Sequence, residues 1–205
     1  MKSIAPCAVS TGSKCLFGII FSVCLGLLSA CGEKKPEFRS VDITGADYAK
    51  DFALPDVNGQ TKTLADFKGK AVVLFFGFAQ CPDVCPTTMA EIAAVKKSLG
   101  KEGEKVTAVF VTVDPERDTP QVLKAYMESF DPTFTALRGT PEQTVALAKY
   151  FKIYYKKVDG KTPTSYTIDH TAASFVFDPQ GKLRLYTRYG MGAQALAEDL
   201  KILLK

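Results

Sequence analysis

The chain has 205 residues, is 46% hydrophobic and carries a formal charge of +4, enough for one globular domain of ordinary size. Lys2 and Lys14 belong to a segment read below as removed, and without them 24 basic residues face 22 acidic ones. A balance that small, with no Lys or Arg runs interleaved with aromatics, excludes the basic footprint of a nucleic-acid binder.

Lys2 and Lys14 flank the start of an apolar run at 15–30, CLFGIIFSVCLGLLSA. A basic region, an apolar region and closing small residues are the layout of a secretory signal. The run ends Leu28-Ser29-Ala30-Cys31, which resembles a bacterial lipobox, in which the cysteine is lipidated and becomes the first residue. The expectation is a lipoprotein signal peptide at 1–30, lipidation at Cys31, and an exported domain anchored to a membrane and facing the periplasm or cell exterior. An uncleaved anchor is the alternative, but the uncharged run falls short of the roughly 20 apolar residues of a span. Residues 31–50 are polar and mixed in charge and predict a flexible lipid-anchored linker. The folded domain is then 51–205.

Within it, 52–64 reads as a hairpin turning at Asn58-Gly59. The run AVVLFFGFA at 71–79 predicts a strand buried on both faces. Cys85, Met89, Ile92, Val95 and Leu99 form one apolar stripe of a helix that stops at Gly100. VTAVFVTV at 106–113 is a second buried strand. Thr119-Pro120 and Thr140-Pro141 each read as an N-cap followed by proline at the first helical position, and Gln143 completes a capping box with Thr140. Helices are expected over 120–130 and 141–150, with a strand at 134–138 between them. Residues 152–169 show no clear periodicity and read as a functional loop. Strands at 172–177 and 183–189 around the Asp178-Pro179-Gln180-Gly181 turn, then a helix marked by Leu196, Leu200 and Leu203, close the chain. This alternation predicts an α/β fold, a mixed central sheet flanked by helices.

Of six cysteines only Cys81 and Cys85 lie in the domain, and His170 is the one histidine. A buried strand leads straight into Cys81-Pro82-Asp83-Val84-Cys85-Pro86 and then a helix. Helix N-terminal amides and the dipole favour thiolates there. A spacing of four lets both sulfurs face one point. Three readings follow: a structural disulfide, a redox-active dithiol, or a metal site. Two thiolates and one imidazole suit copper, Cu(I) above all; zinc normally takes a fourth ligand or water. Met89 falls on the helix's apolar stripe and reads as core.

CPDVCP at 81–86, VDPERDTP at 113–120 and YTIDH at 166–170 together resemble the Sco/SenC family of copper-binding assembly factors. The similarity covers about residues 50–205, with the motifs in the family's order. It implies a thioredoxin-like fold in which His170 takes the loop position facing the dithiol. It also implies that Cys81, Cys85 and His170 bind Cu(I) or Cu(II). The role it implies is maturation of the CuA centre of cytochrome c oxidase subunit II, with other periplasmic copper or thiol-redox proteins as partners. A thiol–disulfide reductase keeping the acceptor's cysteines reduced is the rival role. Asp169 could orient His170 or merely cap its own turn. Asp114, Arg117 and Asp118 follow a buried strand and so share the cysteines' rim, where they could tune the site, meet a partner or form a solvated loop.

Overall fold

The structure is a computed structural model that describes residues 36–162 and 165–205. The expected signal peptide and Cys31 lie outside the described residues. Residues 37–205 form one compact unit.

Two seven-residue strands with every position buried, β4 (Ala71–Gly77) and β5 (Val106–Thr112), form the centre. They pair in parallel, and β6 (Thr135–Leu137) extends them on one side, also in parallel. On the other side β9 (Ala173–Phe177) runs antiparallel to β4, β10 (Leu183–Arg188) antiparallel to β9, and β1 (Val41–Asp42) antiparallel to β10. The sheet is therefore mixed, as the alternation of elements implied. β2 (Ala53–Pro55) and β3 (Thr61–Thr63) make the expected hairpin apart from it. Its turn is longer than two residues. The Asp56 carboxylate accepts the Asn58 and Gln60 amides, and only Gly59 takes positive φ, at 78°.

The helices start where their caps dictate. α1 spans Val84–Ser98, and Gly100 follows it at φ 56°. α2 (Pro120–Glu128) is capped by the Thr119 hydroxyl accepting from the Val122 amide; α3 (Pro141–Tyr150) carries the Thr140–Gln143 capping box. α4 spans Ala193–Leu203 and packs against α1. Successive strand residues face opposite sides. Phe76 and Phe175 meet Phe151, just past α3, at 5.3 and 5.2 Å. Phe75 and Phe110 meet on the other side, where Tyr126 of α2 meets Phe110 at a tilt, 5.4 Å between ring centres. Met89 is fully buried, as its place on the stripe required.

Two expectations are corrected. The first is the flexible linker over 31–50. Its described part beyond Glu37 belongs to the domain: Val41 and Asp42 pair with Tyr186 and Leu185, and Ala49 is buried. The buried Asp199 carboxylate accepts the Arg39 and Ser40 amides at 2.6 and 2.9 Å, and the Ser40 hydroxyl bonds Thr187. Those contacts come from residues some 150 positions away, which local composition does not register. The second is the loop over 152–169. It contains β7 (Tyr155–Asp159) and most of β8 (Tyr166–His170), an antiparallel ribbon outside the main sheet. Tyr155-Lys156-Lys157-Val158-Asp159 is almost wholly exposed, so no apolar alternation announces it.

Candidate metal centre

β4 delivers the chain to the site. After Gly77 the backbone turns, with the Cys81 amide donating to the Phe78 carbonyl at 3.1 Å, and α1 begins at Val84. Cys81 therefore stands just before the helix and Cys85 within its first turn. The Cys85 amide points at Cys81 Sγ, 3.5 Å away. His170, at the end of β8, brings Nε2 to 3.4 Å from Cys85 Sγ. Both sulfurs and an imidazole nitrogen lie within 4.8 Å of one another, and among the described residues this is the group fit to hold a metal ion. Cys85 is buried; Cys81 and His170 are half-exposed, so the site opens on the side of these two.

The ring of His170 is fixed on three sides. Phe75 and Phe78 meet it edge-on, at 5.7 and 5.9 Å. Its Nδ1 lies 3.2 Å from the Thr171 carbonyl. A carbonyl only accepts, so Nδ1 carries a proton and Nε2 is the nitrogen that faces the sulfurs. Nε2 is then the nitrogen a metal ion would take.

The thiols are not equivalent. A hydrogen bond from the Cys85 thiol, and after it bonds from His170 and the Cys85 and Asp83 amides, bring Cys81 down to about 4 despite its partial burial. The same bond, in which Cys85 donates, together with burial, pushes the Cys85 thiol up. At neutral pH the pair is a half-exposed thiolate at Cys81 beside a buried thiol at Cys85. Three donors about 2.0–2.3 Å from a shared ion need only a small contraction from the present spacing. Two sulfurs and one imidazole are a soft, low-coordinate set suited to Cu(I), and occupation expels the Cys85 proton.

Gly77 permits the packing of Cys85. A Cβ there would stand 2.8 Å from Cys85 Sγ and 2.9 Å from the Phe75 and Phe110 rings. Inside a run of strand-forming residues it gave no sequence signal beyond being a glycine in a strand.

The acidic residues near the site divide. Asp169 is exposed and sits opposite Lys156 across the ribbon, and the contact at His170 Nδ1 is the Thr171 carbonyl. Asp169 therefore does not orient His170; strand alternation turns it away from the face that Ile168 and His170 share. Asp118 is fully buried. It accepts the Ala79 amide at 3.1 Å and the Thr112 hydroxyl at 2.6 Å, and so ties the turn before Cys81 to the end of β5. Burial pushes its carboxyl up. Asp114, also buried, contacts neither sulfur nor imidazole. It accepts the Tyr166 hydroxyl at 2.7 Å and pairs with Arg117.

Comparison with known proteins agrees with this geometry. The SCO1/SenC family model matches residues 41–205. A "SCO2-like protein" of Rickettsia felis is 32% identical over 192 residues, 89% of this chain and 94% of the relative. The structure of Bradyrhizobium japonicum ScoI with copper bound is 41% identical, with TM-score 0.67, over 75% of this chain and 98% of that one. A SCO1/SenC family lipoprotein from Bacillus anthracis is 26% identical, with TM-score 0.64, over 76% of this chain and 94% of its own. No helix among the described residues is long and apolar enough to cross a membrane. The strands and helices around β4 are those of the thioredoxin-like Sco structures, and the chain belongs to the SCO1/SenC family.

Proposed function

We propose that this protein binds one copper ion, as Cu(I) or Cu(II), through Cys81, Cys85 and His170. Its acceptor is then cytochrome c oxidase subunit II, whose CuA centre it helps to mature. The observation that carries the reading is the convergence of three soft-to-intermediate donors within 4.8 Å from two elements 85 residues apart. The copper-bound relative at 41% identity supports the choice of metal; the acceptor rests on family membership. Release suits the geometry. Cys81 and His170 are the accessible donors, so an incoming thiolate or imidazole meets them before Cys85 and can replace the ligands stepwise.

The rival role has its own support. Cys81 is a half-exposed thiolate with a second thiol directly beneath it. In a reductase its sulfur would attack an acceptor disulfide, forming a mixed disulfide and releasing one acceptor thiolate. Cys85 would then attack Cys81, forming the Cys81–Cys85 disulfide and releasing the second. That disulfide removes both thiolate ligands, so copper binding and redox state exclude one another.

The expected anchor fits a membrane-bound acceptor. Along the sheet, Phe75 pairs with Ser174, Ser174 with Thr187, and Thr187 bonds Ser40. The chain thus enters the domain level with the end of β4 that leads to the cysteines. If Cys31 is lipidated, the nine residue steps from Cys31 to Ser40 reach at most about 30 Å.

The test is to mix copper-loaded, reduced protein with the reduced apo domain of an oxidase subunit II and record the CuA absorption bands. The reading expects the bands to appear with loss of copper from the donor. Copper retained by the donor under conditions where free copper metallates the acceptor would contradict delivery.

A further inference from the structure

We propose that Asp114, Arg117 and Tyr166 are positioning residues for His170: they clasp the far end of its strand and thereby set the affinity of the copper site. This rests on the copper reading above and adds what holds its third ligand in place.

The ribbon of β7 and β8 makes no ladder with the six-stranded sheet, and a lone two-stranded ribbon is marginal in water. Something must hold it against the domain. Near His170, the Tyr154–Thr171 hydrogen bonds join the ribbon only to its own flanks. The ribbon's apolar contacts are Ile168, which is buried, Tyr155 and Tyr166, which pack against the core, and the His170 ring on Phe75 and Phe78. The polar anchorage is at Tyr166, four residues and about 13 Å from His170 along the strand. The Tyr166 hydroxyl donates to Asp114 Oδ1 at 2.7 Å, and its carbonyl accepts from Arg117 Nη1 at 2.8 Å. The Arg117 guanidinium lies 3.5 Å from the centre of the tyrosine ring and pairs through Nε with Asp114 Oδ2. Lys157 of β7 covers the ring at 3.7 Å and pairs with Glu116.

These partners come from one loop, 113–118, and the same loop holds the cysteines' approach. The Asp118 amide donates to the Asp114 carbonyl at 2.9 Å, while the Asp118 carboxylate accepts the Ala79 amide ahead of Cys81. Arg138 fastens the loop from outside through the Pro115 and Asp118 carbonyls. Phe78 carries Arg117 at 5.8 Å and the His170 ring at 5.9 Å. One loop therefore indexes the histidine-bearing ribbon to the cysteine-bearing turn. The pair is mostly removed from water, with side-chain exposures of 17% for Arg117 and 3% for Asp114, so its geometry is held rather than averaged.

The test measures Cu(I) affinity of the reduced full chain by competition with a chromogenic chelator, for Arg117→Ala and Tyr166→Phe, each alone and with His170→Ala. Amide hydrogen exchange of the metal-free proteins is read alongside. The clasp predicts affinity about tenfold weaker in Arg117→Ala and a smaller loss in Tyr166→Phe, which keeps the ring. It predicts no further loss once His170 is gone, since the clasp acts through that ligand. Exchange in 155–159 and 166–170 should quicken while 71–77 and 106–112 stay protected. Unchanged affinity and exchange in both variants would overturn the proposal. So would an undiminished loss in the His170→Ala background. Absence of copper binding by the unmodified protein would overturn the copper reading instead, and hydrogen exchange would then decide the clasp alone.

Discussion

Cys85 Sγ lies 3.4 Å from His170 Nε2, although 85 residues separate them in the chain. The contact joins the first turn of α1 to the end of a ribbon outside the main sheet, and it separates the two candidate roles. Copper binding uses the imidazole as a ligand. Dithiol exchange needs only the two sulfurs. His170→Ala is therefore expected to keep most of its thiol–disulfide exchange with an oxidised acceptor peptide while its copper affinity falls. A reductase assay run beside a copper titration checks this; exchange abolished with copper affinity intact would reverse the assignment.

The asymmetry of the thiols is readable by alkylation. Cys81 is held near 4, chiefly by the hydrogen bond from Cys85. Its thiolate is lost only as pH falls through that value, so between pH 6 and 8 its fraction is already full. The alkylation rate of Cys81 should be nearly flat there, whereas an ordinary thiol, with pKa about 8.5, would react roughly tenfold faster per pH unit. Cys85, buried and pushed up, should stay unmodified in the native state. Peptide mass spectrometry against pH gives both answers, and a Cys81 rate that climbs throughout would contradict the arrangement.

Gly77→Ala puts a methyl 2.8 Å from Cys85 Sγ and 2.9 Å from two phenylalanine rings. All three neighbours are buried, so the added group displaces core atoms. The expected cost is about 1–3 kcal/mol in a denaturant titration, together with weaker copper binding because Cys85 moves. A variant equal to the unmodified protein in both measurements would show that this glycine is not needed for the site.

Asp199 supplies the contrasting control. Its carboxylate holds the Arg39 and Ser40 amides from within α4. Asp199→Ala leaves those donors without a partner and should cost about 1–3 kcal/mol. Copper affinity should be unchanged, because no ligand depends on this contact. Proteolysis should also reach the 37–42 segment sooner in the variant, and equal resistance would show that Asp199 is not what holds this segment.

Cys31→Ser tests the anchor. If the lipobox is used, the unmodified protein takes up a labelled fatty acid in its host and sediments with membranes. The variant should lose the label while its domain folds normally. Label retained on the variant would place the modification elsewhere.

Much of this was legible in the sequence because the signals were local. Seven consecutive buried positions announced β4 and β5, and a threonine–proline pair with its own capping hydroxyl announced α2 and α3. The cysteines were legible because a core strand leads straight to them. What was hidden depends on contacts distant in sequence. β1 is two exposed residues paired with Tyr186 and Leu185, just after two amides that Asp199 accepts, so composition made it a linker. β7 is polar and exposed on nearly every position, so it read as a loop. Asp169 was a candidate by adjacency to His170, but neighbours on a strand point apart. Tyr166 carries no signal of its own inside the motif that locates His170, because its partners lie in a separate motif about 50 residues earlier.

The most direct measurement is an anaerobic Cu(I) titration of the reduced protein against a chromogenic chelator, with Cys85→Ser and His170→Ala alongside. The account predicts one tight equivalent that weakens in both variants and disappears when Cys81 and Cys85 are oxidised to a disulfide. No competition by the unmodified protein, or tight binding that survives loss of Cys85, would contradict it.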